Sequence, residues 1–291
     1  MTALITAKEL AMPLAIEPIL EHLGLAHEPP SVAALDRLLA AWAERIPWES
    51  ASRIALHQDP GAPADYARLP ERFFADARRW GSGGTCFESN LALRALLEAL
   101  GFQVTLHFCD MGEQRDPHCA ALVELEDAVY LADAGYPVAA ALPLDPDAPT
   151  ERETPAAIFR AIPQAGGRWE IRRMGRNGYD DQAFVLKRAP VDAGTFHARL
   201  LRDHEPDGFF LDEVILSRTG PDGMLRYSEG KGLVRRTPDG ESEVALSANE
   251  SADLPRTLAR LFDYEEDVLR RALARINLPP FPASEGQTGA P

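Results

Sequence analysis

Three cysteines, Cys86, Cys109 and Cys119, are too few and too scattered in 291 residues for a disulfide framework. In a reducing compartment the useful question is whether one of them is a nucleophile. No apolar run reaches the ~18 residues that a membrane span needs, so an integral membrane protein is not expected. The first 25 residues have no basic segment leading into an apolar stretch, and Pro13 and Pro18 interrupt them. That excludes a secretory signal and makes the cytoplasm the expected location. Basic residues are scarce: 30 stand against 45 acidic ones, a net charge of −15. A general binder of nucleic acid or anionic membrane would carry the opposite sign. Hydrophobic residues at 45% and charged residues at 26% describe a soluble globular chain and exclude whole-chain disorder. The length allows one large domain or two to three small ones.

The first hundred residues read as helices. Ser31 is an N-cap for 32–44, where Leu35, Leu38, Leu39 and Trp42 recur at helical spacing, and Ile46-Pro47 ends the helix. A second helix covers 71–80. The loop Gly81-Ser82-Gly83-Gly84-Thr85 then leads into 86–100, which is apolar nearly all round and stops at Gly101. Beyond Gly101 the texture is that of strands, at 103–109, 118–124, 128–134, 169–174 and 182–188. The stretch 142–155 is rich in Pro and Asp and reads as loop. From Phe209 a strand meander runs through 211–218, 224–228 and 232–237, followed by one long helix, 254–276. The tail from Pro279 is expected to be disordered.

Cys86 stands where the glycine-rich loop becomes a helix. A thiol there feels the positive end of the helix dipole and unpaired backbone N–H groups, which favour the thiolate. The competing reading is a small buried hydrophobe, the usual fate of a free cysteine. His118 and Asp133 weigh against it. A two-residue hairpin at Glu126-Asp127 sets Leu125 opposite Ala128 and therefore Asp133 opposite Ala120. His118 lies two residues from Ala120, so imidazole and carboxylate become diagonal neighbours on one sheet face. A one-residue slip would separate them. An imidazole that takes the Cys86 proton, held by a carboxylate, makes a nucleophilic triad. The order Cys, His, Asp is that of papain-like enzymes, which have Asn in third place. Cys119 points to the other face from His118 and Cys109 packs in a strand, so both read as core. A metal site built from Cys109, Cys119 and His118 is excluded by that alternation. The loop lacks the Lys-Ser/Thr of a phosphate-binding P-loop.

The chain resembles the arylamine N-acetyltransferases. That family's Arg-Gly-Gly-x-Cys-Phe-Glu-x-Asn is matched by Ser82-Gly83-Gly84-Thr85-Cys86-Phe87-Glu88-Ser89-Asn90, and its Ile-Pro-Phe-Glu-Asn by Ile46-Pro47-Trp48-Glu49-Ser50. Its histidine strand is matched from His118 to Val123, and its Tyr-Leu-x-Asp-x-Gly-Phe by Tyr130 to Tyr136. The resemblance implies an α+β, cysteine-protease-like fold in three parts. These are a helical bundle at 1–101 carrying the nucleophile Cys86, a β-barrel at 102–189 supplying His118 and Asp133, and an α/β lid at 190–278, before the tail at 279–291. It implies ping-pong acyl transfer from acetyl-CoA, a co-substrate, to an arylamine or hydrazine, with no permanently bound cofactor and no metal.

The sequence also departs from the family. Ser82 replaces the arginine of the loop, Thr85 an aromatic residue and Pro137 a glycine, while Ile19 and His22 replace the Tyr and Arg of an N-terminal motif. These changes leave the triad whole and bear on the shape of the pocket. Two further enzymatic readings therefore stay open. One is an amide synthase fed by an acyl carrier protein; the other is a thiol hydrolase or transglutaminase-like enzyme. A non-catalytic binding module fits less well with an intact triad. Arg78 and Arg79, or Lys187 and Arg188, are candidate contacts for a polyanionic CoA. Glu49 is read as an ion-pair partner of Arg45 or Arg53, and Glu88 as a helix-start carboxylate that complements the dipole.

Overall fold

The computed structural model describes residues 14–58 and 61–276. Helix α1 (Ile16–Leu23) closes on the left-handed Gly24. The Ser31 hydroxyl accepts the Ala34 N–H at 3.2 Å and caps α2 (Val32–Arg45), which stops at the extended Ile46 before Pro47. A two-residue strand, β1 (Trp48–Glu49), precedes α3 (Ala51–Leu56), α4 (Pro63–Tyr66) and α5 (Pro70–Trp80). Next comes α6 (Cys86–Ala99). It is buried on nearly every side, as its leucine content predicts, against Leu35, Leu38 and Trp42 of α2 and Phe73 of α5.

Eight antiparallel strands follow: β2 (Gln103–Met111), β3 (Gln114–Leu125), β4 (Ala128–Ala132), β5 (Leu142–Pro143), β6 (Thr150–Glu153), β7 (Ile158–Gln164), β8 (Arg168–Met174) and β9 (Asp180–Pro190). Their order is β5-β4-β3-β2-β9-β8-β7-β6. β5 lies against β6 and β7, so the sheet curls into a nearly closed barrel. Leu131, Phe159, Ile171 and Phe184 belong to the core that fills it. After α7 (Ala193–Arg202), the strands β10 (Ile215–Gly220), β11 (Gly223–Ser228), β12 (Gly232–Thr237) and β13 (Gly240–Glu243) form a second sheet. β1 completes that sheet, pairing Trp48 with Ser217. The helices α8 (Ala248–Ala252), α9 (Leu254–Phe262) and α10 (Glu266–Ile276) end the described chain. The architecture is the α+β, barrel-containing fold that the resemblance implied.

Several features differ from the sequence reading. The single helix expected over 254–276 is two helices, broken where Asp263 turns left-handed at φ 54°. Asp tolerates that conformation without a glycine to announce it. The stretch 142–155 holds the short strands β5 and β6 in place of continuous loop, and Pro163 concealed β7 by interrupting its pattern. Strand β3 begins at Gln114, ahead of His118, because a bulge at Asp116 (φ 57°) carries the pairing past Pro117. α7 and β13 carried too weak a pattern to be anticipated. The tail from 279 lies outside the described residues. No described helix is long and apolar enough to cross a membrane.

Candidate active site

The glycine-rich loop is fastened from three directions. Gly83 donates its N–H to Glu49 Oε1 at 3.2 Å, Glu49 donates its own N–H to Gly84 O at 3.3 Å, and Arg68 Nη2 donates to Gly83 O at 2.7 Å. A side chain at Gly83 would collide with the Pro47 carbonyl. The motif from Ile46 to Ser50 therefore has a physical purpose: it lies flat against the loop and at the same time enters the second sheet. The loop delivers Cys86 as the first residue of α6, beneath the Pro117 carbonyl at 3.8 Å.

The β3–β4 hairpin has the register inferred from its turn. Leu125 pairs with Ala128 and Ala121 with Ala132, and both turn residues have positive φ, 50° at Glu126 and 65° at Asp127. Asp133, the next residue after β4, consequently reaches His118, with Oδ2 2.7 Å from Nε2. The Cys86 thiol lies beside the His118 ring, near enough to favour its charge. Cys86, His118 and Asp133 are all buried. Burial opposes the imidazolium, but the charge and hydrogen bond of Asp133, with help from Cys86, push His118 up to about 10. Oδ1 of Asp133 accepts three more bonds, from Gly135 N at 2.8 Å, Tyr136 N at 2.9 Å and Asn90 Nδ2 at 3.0 Å. Asn90 also donates to Cys119 O and accepts the Ala134 N–H. Sequence reasoning gave Asn90 no role. The available signal was its i+4 spacing from Cys86, which puts both on one helix face. Gly135 lets the chain pass here, since a Cβ there would lie 2.5 Å from the Cys86 Cβ.

Cys86 and His118 open into a cavity of ≈ 280 Å³. Its walls are apolar at Trp48, Phe159 and Phe210 and basic at Arg173, Arg226 and Arg236.

Residues 31–267 match the model of the N-acetyltransferase family, which is more than half of the chain. The chain belongs to the arylamine N-acetyltransferase family. The pineal gland isozyme NAT-3 of Gallus gallus, an arylamine N-acetyltransferase, is 25% identical over 227 residues, 69% of this chain and 76% of the relative. Among solved structures, the arylamine N-acetyltransferase of Mycobacterium abscessus superposes with a TM-score of 0.73 at 19% identity, covering 91% of this chain and 96% of its own. That of Mycobacterium marinum, solved in complex with CoA, gives 0.73 at 19% identity over 90% and 98%. A Bacillus cereus enzyme described as having a Cys-His-Glu catalytic triad gives 0.65 at 15% over 86% and 98%.

Within this arylamine N-acetyltransferase fold the departures can be placed. Ser82 and Thr85 are buried side chains that do not line the cavity; Pro137 does. Arg68 binds the Gly83 carbonyl of the loop and forms a fully buried ion pair with Glu88 at 2.8 Å. Glu88 is thus structural, as read, but through a partner 20 residues away as well as through the dipole. Burial opposes its charge, yet Arg68 and His204 hold the carboxyl well below the usual range. Glu49 bonds to Ser52 and Gly83, not to Arg45 or Arg53. Arg53 instead donates to the carbonyls of Asp203 and Phe209. Lys187 is engaged by Asp110 and Asp116, and Arg78 by the Phe74 carbonyl, so neither faces the cavity. Cys109 and Cys119 are fully buried, and burial pushes both thiols well up.

The Arg68–Glu88 pair supplies a stability prediction. Removing one partner strands a buried charge, at a cost of about 3–5 kcal/mol. Arg68→Met should lower the unfolding free energy in urea by that amount; a loss below about 1 kcal/mol would mean the loop stands without it. Because the Glu88 carboxyl is depressed on folding, the pair's contribution is present at neutral pH. It is lost only as pH falls through that depressed value.

Proposed function

We propose that the protein transfers an acetyl group from acetyl-CoA to an aromatic amine or hydrazine through a thioester on Cys86, loading before the amine arrives. One observation carries this reading: the His118 ring, bonded to Asp133, stands beside the Cys86 thiol at the edge of a cavity open to small substrates. Cys86 gives its proton to His118, and the resulting thiolate sits at the positive end of α6. The thiolate sulfur attacks the acetyl carbonyl carbon. A new C–S bond forms, the bond to the CoA sulfur breaks, and His118 returns its proton to the departing CoA thiolate. In the second half the amine nitrogen attacks the thioester carbon and gives its proton to His118, and Cys86 leaves as a thiolate. Asp133 holds the ring in place through its bond to Nε2. Family membership, and the CoA carried by the Mycobacterium marinum relative, support acetyl-CoA as donor.

Weighing the intact protein tests this directly. Incubation with acetyl-CoA should add one acetyl group, on Cys86, and an arylamine should then restore the original mass with first-order kinetics. If acetyl-CoA adds no mass and a carrier-protein thioester does, the donor is the carrier. If neither loads Cys86, the acyltransferase reading fails.

A further inference from the structure

The cavity beside Cys86 holds more positive charge than its surroundings neutralise. Arg173 on β8 is bound by the Tyr179 hydroxyl and by Asp181, the latter at 3.4 Å. Arg236 on β12 donates from Nε and Nη2 to Glu241. Arg226 on β11, between them, has no such partner: its guanidinium makes no ion pair or hydrogen bond with a described residue. The Trp48 ring lies with its centroid 6.0 Å from the guanidinium carbon. Glu213 and Glu241 are close enough to favour its charge without touching it.

This arrangement is costly for the free protein. A guanidinium cannot escape burial by losing its proton as a lysine can. Burial, together with repulsion from Arg236 and Arg173, works against the Arg226 charge. A second donor in the same wall, the Trp48 Nε1–H, is buried with no acceptor. The unpaired Arg226 guanidinium, half-buried in the cavity wall, leaves its donors open to an acceptor that the ligand brings.

We propose that Arg226 recognises a carboxylate carried on the part of the substrate that enters the Cys86 cavity. A planar carboxylate matches the guanidinium fork and would be held by charge-assisted hydrogen bonds. The carboxylate could ride on the acyl chain, as in malonyl- or succinyl-CoA, or on the ring of the amine, as in an aminobenzoate. The phosphates of CoA answer the geometry less well. They lie the full length of the pantetheine arm from the thioester, whereas Arg226 shares one small cavity with the nucleophile. The proposal rests on the acyl-transfer reading, and its test is built to fail separately from that reading.

Three ratios are measured in the wild type, Arg226→Met and Arg226→Lys. The first is the rate of Cys86 loading by succinyl-CoA over that by propionyl-CoA. The second is the rate at which 4-aminobenzoate clears the acetyl-enzyme over the rate for its methyl ester. The third is the rate of Cys86 alkylation by iodoacetate over that by iodoacetamide, which needs no acyl transfer at all. In the methionine variant the alkylation ratio should fall about 10- to 100-fold, with a similar fall in one of the first two; that one names the source of the carboxylate. The lysine variant, which keeps the charge but loses the fork, should fall between. If all three ratios match the wild type in Arg226→Met, the proposal is overturned, including the case where every CoA thioester slows equally because Arg226 reads the phosphates. Failure of acetyl-CoA to load the wild type sinks the acyl-transfer reading and leaves the alkylation ratio to judge Arg226.

Discussion

Replacing Cys86 by alanine should abolish acetyl transfer, by a factor on the order of 10⁴ or more, while Cys119→Ala remains active. The two thiols are close neighbours, with Cys119 Sγ 3.6 Å from the Cys86 carbonyl, so proximity alone does not separate them. Environment does. Cys86 begins a helix, stands beside His118 and lines the cavity, whereas Cys119 is fully buried on the far face of β3 and burial pushes its thiol up. Cys109 is equally enclosed, directly across from His118 in the β2–β3 ladder. Iodoacetamide should therefore label the folded protein once, at Cys86, and protect it from acetylation. Cys119→Ala removes a packed sulfur and should cost about 1–2 kcal/mol of stability, with little effect on labelling. Labelling at Cys109 or Cys119 with Cys86 untouched would defeat the assignment.

The parts of this site that are legible in the sequence are those fixed by local rules. A two-residue turn dictates register, and register puts Asp133 beside His118. A glycine-rich loop before a leucine-rich run marks the start of α6 at Cys86. The supporting groups are hidden because their partners are remote in sequence. Nothing near Arg68 announces a bond to Gly83 or Glu88, and nothing near Arg226 announces that β11 faces Cys86. A pairing of Glu49 with Arg45 or Arg53 follows from charge alone, and charge alone misleads. Backbone N–H groups and a serine are the real partners of that carboxylate. The break between α9 and α10 is equally silent, since an Asp in left-handed conformation leaves no glycine as a signal. That turn matters to the fold, because its carbonyl sits where a Gly81 side chain would be.

Substituting Asp133 by asparagine should leave Cys86 in place yet remove most of its reactivity near neutral pH. In the wild type, burial disfavours the His118 imidazolium and the Asp133 charge outweighs it, so the cation persists up to about 10. An imidazolium that survives through neutrality keeps a compensating charge beside Cys86 over the whole range below that value. Alkylation of Cys86 should accordingly persist at pH values where a free thiol reacts little. The Asp133→Asn variant would keep a hydrogen bond but not the charge, and His118, still buried, would fall back toward or below its ordinary ~6.5. Reactivity should then rise with pH like that of a free thiol of pKa ~8.5, which is only about 1% ionised at pH 6.5. A more basic thiolate is the better nucleophile, which returns part of the loss, so the net fall at pH 6.5 should be about 10- to 100-fold. His118→Gln should give the same profile, since it removes the cation itself. The linked effect on folding has a definite sign. A raised histidine stabilises the native state fully below about 6.5, and that contribution is lost as pH rises toward the folded value of about 10. Asp133→Asn should therefore narrow the gap in stability between acid and alkaline conditions. If its alkylation profile and the wild-type profile superimpose, Asp133 does not act on Cys86 through His118, and its four hydrogen bonds serve only to hold the chain from 133 to 136.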